Sequence, residues 1–281
     1  MAAGLALLAS LAYGVSNFAG PRLARDVSLF LLLLVGQTCS LLLAGVVVAV
    51  QGEGLPDAEA IGFALLAGFG NAGGLVLFYR AAAVGPLSIV TPIGSLGAAV
   101  PVAIGIAGGE AMTVLKGLGI LLALTGVVLV ARRPGADLHD EKHSHRRAAV
   151  VLAALSAVCF GVFLAAIAPA AEDAAGWAVL LSRVSLVAVL ATFVVRLGVF
   201  RELVPRRMPV LAVPGLLLFA GTMAYAIATR EGDLSVVSVL GSLFPVVTVG
   251  LAVGLDGERL RRPQAIGALA TIAGVVLLSM R

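Results

Sequence analysis

The sequence predicts an all-α integral membrane protein whose ten transmembrane helices form two inverted five-helix repeats. Three observations carry that prediction. Of 281 residues, 60% are hydrophobic and 12% charged, against roughly 25% charged in soluble domains, so the chain lacks the charge to cover a water-facing surface. The stretch LSIVTPIGSL at 87–96 recurs 147 residues later as LSVVSVLGSL at 234–243, with six of ten positions identical. Positive residues alternate from loop to loop, and the alternation changes phase between the halves.

A span needs about 20 apolar residues to cross the hydrocarbon core. Ten acid-free runs qualify, at 2–21, 28–50, 60–79, 86–107, 114–131, 148–169, 176–195, 209–229, 234–255 and 263–280. The first has no basic residues before it and is followed at once by another span, so it reads as a helix and not a leader. The runs lack the polar alternation of a membrane barrel strand. A helix satisfies its own backbone hydrogen bonds in lipid, which makes all ten helical.

The repeat sets the organisation and is settled before any other reading. The offset of 147 also relates Tyr13-Gly14 to Phe160-Gly161 and Gly74 to Gly221; after a one-residue slip, Glu110, Gly119 and Gly126 fall on Glu258, Gly267 and Gly274. The expected units are residues 1–132 and 148–281, joined by a polar linker at 133–147.

Five spans per unit is an odd number, so the second unit must enter the membrane from the opposite side. Charge bears on this. Arg22, Arg25, Arg80, Arg132, Arg133, Lys142, Arg146, Arg147, Arg196, Arg201, Arg206, Arg207, Arg259, Arg261 and Arg262 fall in loops of one face; Lys116, Arg230 and Arg281 fall on the other. Positive loops stay cytoplasmic. The expectation is an inner (plasma) membrane protein with a cytoplasmic linker and both termini outside.

Several patterns are set aside. The GxGxxG match at Gly68, Gly70 and Gly73 lies in an apolar run with no preceding strand, so it is no dinucleotide turn; these glycines, with Ala99, Ala103 and Ala107 and with Gly119 and Ala123, read as surfaces of close helix approach. Cys39 and Cys159 sit in apolar runs as small buried residues. His139, His143 and His145 with Asp137, Asp140 and Glu141 crowd the linker, where nothing fixes metal geometry. Basic runs interleaved with aromatics are absent, which argues against nucleic acid. No catalytic group, cofactor or metal is expected.

Two features point to a ligand. Pro92 and Pro101 in the fourth span and Pro245 in the ninth interrupt corresponding helices of the two units, the arrangement that marks a central transporter site; a kink that only shapes packing is the plain alternative. Arg183 lies deep in the seventh span, roughly opposite Gln37 in the alignment, at an insertion cost of about 2.5–3.5 kcal/mol. No span holds an acid to pair with it, so a ligand carboxylate or phosphate, water, or a reach to the interface must compensate. Tyr13, Asn17, Asn71, Tyr79, Thr91, Ser95, Tyr225, Ser238 and Ser242 are the candidate hydrogen-bonding partners of a solute; Ser16, Gln37, Thr38 and Thr222 are further polar residues in spans. Each could equally bond a neighbouring helix.

Across almost its whole length the chain resembles the EamA-type transporters of the drug/metabolite transporter superfamily. The resemblance rests on the two five-span units, on the fourth span of each ending in Gly109-Glu110 or Gly257-Glu258, on the Gly-x6-Gly span that follows, and on YRAAAVGPLSIV at 79–90 with its echo YAIATREGDLSVV at 225–237. It implies a cavity lined by spans 1, 3, 4, 6, 8 and 9, with the fifth span of each unit peripheral, and both termini in the cytoplasm, against the charge distribution. The function expected is a secondary transporter or exporter of small polar metabolites, amino-acid-like first, working by alternating access, with a small solute and the lipid bilayer as partners. Sugar, sugar-phosphate or nucleotide-type solutes are the alternative. A membrane enzyme on lipid-linked substrate would need gathered His, Cys or carboxylates, and a non-transporting scaffold would need no cavity.

Overall fold

The computed structural model describes residues 1–25, 27–85, 87–131, 142–199, 208–256 and 262–279. They form twelve α-helices: α1 (Ala2–Leu23), α2 (Leu29–Gln51), α3 (Ala58–Val84), α4 (Leu87–Ser95), α5 (Ala99–Ala107), α6 (Val114–Ala131), α7 (Lys142–Ala170), α8 (Ala175–Leu197), α9 (Met208–Glu231), α10 (Leu234–Gly241), α11 (Phe244–Asp256) and α12 (Arg262–Ser279). Among the described residues, six helices are long and apolar enough to cross a membrane: α1, α2, α3, α8, α9 and the Arg147–Ala170 part of α7. The other expected spans are shorter apolar segments, two of them broken.

The breaks have a local cause. A 3-10 turn at Leu96–Ala98 separates α4 from α5, and α10 ends at Gly241 three residues before α11 begins. Pro101 and Pro245 sit in the first turn of α5 and of α11, where the missing N–H has no intrahelical partner to lose. Pro92 lies within α4 and does not mark the break. The linker also ends sooner than expected: residues 142–147 already belong to α7, and 133–141, with His139 and its acidic neighbours, fall outside the described residues, as do Gly257 and Glu258.

Helix ends follow from their capping residues. Gly52 and Gly198, at φ 65° and 66°, close α2 and α8 in the left-handed conformation that glycine adopts freely. The Asp57 carboxylate accepts from the Ala60 amide at 2.8 Å and starts α3.

Small residues hold the bundle together, and several close crossings are made twice. A methyl group added at Gly68 of α3 would collide with Ser182 of α8, and one at Gly215 of α9 would collide with Gly36 of α2. Gly14 meets Val247 as Gly161 meets Val100; Gly74 meets the Phe160 ring as Gly221 meets the Tyr13 ring; Gly94 meets Phe78 as Gly241 meets Tyr225. On α6 and α12, Gly126 lies against Gly267 and Thr271 while Gly274 lies against Gly119 and Ala123. These last two helices run antiparallel, since Gly119 also reaches Leu278 near the far end of α12.

Hydroxyls fasten the same crossings. Ser16 donates to the Pro214 carbonyl oxygen at 3.0 Å, Ser40 to Gly215 at 2.5 Å, Ser156 to Gly74 at 2.9 Å and Ser185 to Leu65 at 3.0 Å. One small-residue surface is not where the sequence suggested. Ala99, Ala103 and Ala107 are exposed, while Pro101 and Gly105 are buried. The helix turns its glycine and proline inward and leaves the alanines on the outer surface.

At the end of the bundle where α5 meets α6, the halves also join through charge. The Glu110 carboxylate accepts from the Ser235 amide at 3.1 Å, and Lys116 pairs with Asp233 at the head of α10.

Candidate functional site

A cavity lies between the two halves at the level of the helix breaks. It offers about 50 Å³ to water-sized molecules, within an atom-free region of about 520 Å³ that includes its opening. Its walls come from α1 (Tyr13, Asn17), α3 (Asn71, Leu75), the α4–α5 break (Gly94, Ser95, Ala98), α7 (Phe160, Phe163, Leu164), α9 (Leu218, Thr222) and the α10–α11 break (Gly241, Ser242, Phe244). Counting each broken pair as one span, these are spans 1, 3, 4, 6, 8 and 9. Helices α6 and α12 pack on each other outside this ring.

The lining falls into pairs related by the offset of 147 residues: Tyr13 with Phe160, Asn17 with Leu164, Asn71 with Leu218, Leu75 with Thr222, Gly94 with Gly241, and Ser95 with Ser242. The cavity is therefore lined by offset-related positions of both halves. The two breaks share a Gly-Ser pair in the wall, whereas the long helices contribute unlike residues. Tyr13, Asn17 and Asn71 face an aromatic ring and two leucines at the equivalent places.

Arg183 stands one layer behind this wall. It is 0% exposed, and its Nη2 donates to the Leu218 carbonyl oxygen at 3.1 Å and to the Thr222 hydroxyl at 2.5 Å. Thr222 in turn donates to Leu218 at 2.7 Å and accepts from the Tyr13 hydroxyl at 3.5 Å. The guanidinium is thus turned into the bundle and joined through Thr222 to the lining. Its Nε and Nη1 are buried with no hydrogen-bond partner, and so are Gln37 Nε2 and Oε1 and Asn17 Oδ1. Buried polar groups are nearly always paired, and a buried group left unpaired costs about 1–3 kcal/mol, more when it is charged. Of these, Asn17 Oδ1 belongs to the cavity wall and is placed to meet a solute, while the orphans of Arg183 and Gln37 lie behind it.

Of the residues singled out from sequence, Tyr13, Asn17, Asn71, Ser95 and Ser242 line the cavity. Tyr225, Ser238, Tyr79 and Thr91 do not. Tyr225 donates to the Leu164 carbonyl oxygen at 3.2 Å and shares a 2.6 Å hydrogen bond with Ser238, a satisfied brace between α9, α7 and α10. The Tyr79 ring is buried against Gly20 of α1, and Thr91 is buried at 1% exposure. Thr222 stands in the sequence only among the span hydroxyls able to bond a ligand or a neighbouring helix; its pairing with Arg183, 39 residues away, has no linear signature. Phe160, Phe163 and Phe244 were not singled out, because an aromatic residue in an apolar run carries no mark of facing a cavity. Among the described residues, no group of three or more His, Cys, Asp or Glu side chains gathers as a metal site would.

Residues 147–280 match the EamA-like transporter family. An uncharacterized protein of Methanocaldococcus jannaschii is 28% identical over 137 residues, which cover 47% of this chain and 96% of that protein. A solved crystal structure superposes with a TM-score of 0.76 at 18% identity, covering 99% of this chain and 96% of the other, a likeness of fold.

Proposed function

We propose that this chain, whose residues 147–280 match the EamA-like transporter family, is a multi-pass membrane transporter that moves a small polar metabolite bearing an anionic group by alternating access between two inverted halves. Arg183 carries the reading. It is a fully buried cation with two unpaired donor nitrogens, tied through Thr222 to the wall of the central cavity. A charge so placed is stabilised by an incoming carboxylate or phosphate, and charge-assisted hydrogen bonds are the strong ones. The orphan Asn17 Oδ1 is an acceptor suited to an amino or hydroxyl group on the same solute, which favours an amino-acid-like head.

Paired contacts support the inverted architecture. Helices α6 and α12 occupy equivalent places in the two units, yet they run antiparallel where Gly119, Gly126, Gly267 and Gly274 meet. Exchanging the halves therefore reverses direction through the bilayer, so the axis lies in the membrane plane. With the basic loops inside, the linker is cytoplasmic and both termini are outside. A cysteine label at Arg281 in intact cells tests this orientation; labelling only after permeabilisation refutes it.

The functional test is solute counterflow in proteoliposomes with a panel of amino acids, other carboxylates, phosphorylated metabolites and neutral solutes. Anionic solutes should exchange, and Arg183→Gln should lower the exchange about 100-fold while the protein still inserts. Unchanged flux in that variant removes Arg183 from the site.

A further inference from the structure

The two ends of the cavity are built on equivalent backbone with opposite chemistry, and this difference reads out the rest of the solute. At one end the Tyr13 hydroxyl and the Thr222 hydroxyl stand in front of Arg183. At the end that exchange of the halves would superpose on it, Phe160 replaces Tyr13 and Leu75 replaces Thr222, and Phe163 adds a second ring to the wall. Gln37, the counterpart of Arg183, carries no charge; the correspondence follows from Gly36 and Ser182 making equivalent crossings one residue earlier. The polar end can satisfy an anion, whereas the other offers hydrocarbon and ring edges with a single neutral amide, Asn71. A second charge seated there would lose its hydration with no opposite charge in exchange.

We infer that the solute is amphiphilic: one carboxylate-like group at the Tyr13–Thr222–Arg183 end, and an uncharged aryl or branched-alkyl body packed on Phe160, Phe163 and Leu75. The inference rests on the reading of Arg183 as the residue that recognises the anion. Burying a six-carbon body against rings and leucine contributes about 1.5–3 kcal/mol, which corresponds to roughly a 10- to 100-fold difference in affinity.

The experiment is competition against radiolabelled 3-phenylpropionate bound to the purified full chain. Propionate, which has the head but no body, should compete at least about 10-fold less well, as should 3-phenylpropan-1-ol, which has the body but no charge; succinate, with a charge at each end, should be weakest. Phe160→Ala should shrink the advantage of 3-phenylpropionate over propionate to within about 3-fold and leave its advantage over the alcohol intact. Phe160→Leu, which keeps an apolar side chain at the site, should fall between. Arg183→Gln should do the reverse, erasing the advantage over the alcohol and sparing that over propionate. If propionate or succinate competes as well as 3-phenylpropionate in the wild type, the amphiphile inference fails and the anion reading stands. If the alcohol competes equally, the anion reading fails as well, and absence of 3-phenylpropionate binding overturns both.

Discussion

The seams between the two halves and the cavity they enclose keep the 147-residue correspondence unequally. In the seams, the same collision would follow a methyl group at either member of a pair: Gly68 and Gly215, Gly14 and Gly161, Gly74 and Gly221. In the cavity wall, Tyr13 faces the place of Phe160, Asn17 that of Leu164 and Asn71 that of Leu218. Close helix packing admits one answer at each crossing, so both copies keep it; a wall that meets a solute has only to be complementary to that solute. Steric contacts in this bundle are therefore duplicated, while much of the cavity lining is not.

Substitutions can break or sharpen that contrast. The largest effect belongs to the seams. Gly215→Leu drives a side chain into the Gly36 backbone and should destabilise the fold by about 3 kcal/mol or more, seen as loss of the monodisperse peak on size exclusion. Gly4→Ala, where nothing lies within 4 Å, should leave that peak unchanged or raise the melting temperature slightly. Next comes Arg183→Gln, for which anion exchange should fall on the order of 100-fold, the worth of a charge-assisted bond, with no loss of inserted protein by membrane fractionation. A drop in both would make Arg183 part of the scaffold. Asn71→Leu, which gives the first half the residue of the second, should lower counterflow about 10-fold at unchanged thermal stability. Smallest is Lys116→Ala. It removes a partly exposed pair with Asp233 and should cost less than about 1 kcal/mol in thermal unfolding.

The same contrast explains how much could be read in advance. Apolar runs located the six long membrane-crossing helices and the shorter apolar segments, though not where two of those segments break, because membrane insertion and close packing leave linear marks: length, hydropathy and repeated glycine. The glycines at 68, 70 and 73 were read as sites of helix approach and lie against α8 and α7. The alanines at 99, 103 and 107 misled, since spacing names a face without saying which way it points. Pro92 looked like a break and is not one, because the chain interrupts its helix at Leu96–Ala98, before the proline that opens α5. Arg183 stood out as a lone buried charge, yet its partners on α9 depend on how two helices cross. Tyr225 and Ser238 looked like ligand groups and satisfy each other instead.

Pairing unlike helices has a bearing on assembly. Tyr13 on α1 finds its hydroxyl partner 209 residues later on α9, and Thr248 reaches back 234 residues to Gly14. The first five segments therefore enter the bilayer with their glycine grooves unfilled and face lipid until the later ones are synthesised. Contacts closed over such separations form slowly, so a ribosome stalled after the linker should leave a half that a membrane protease can clear, not a stable domain.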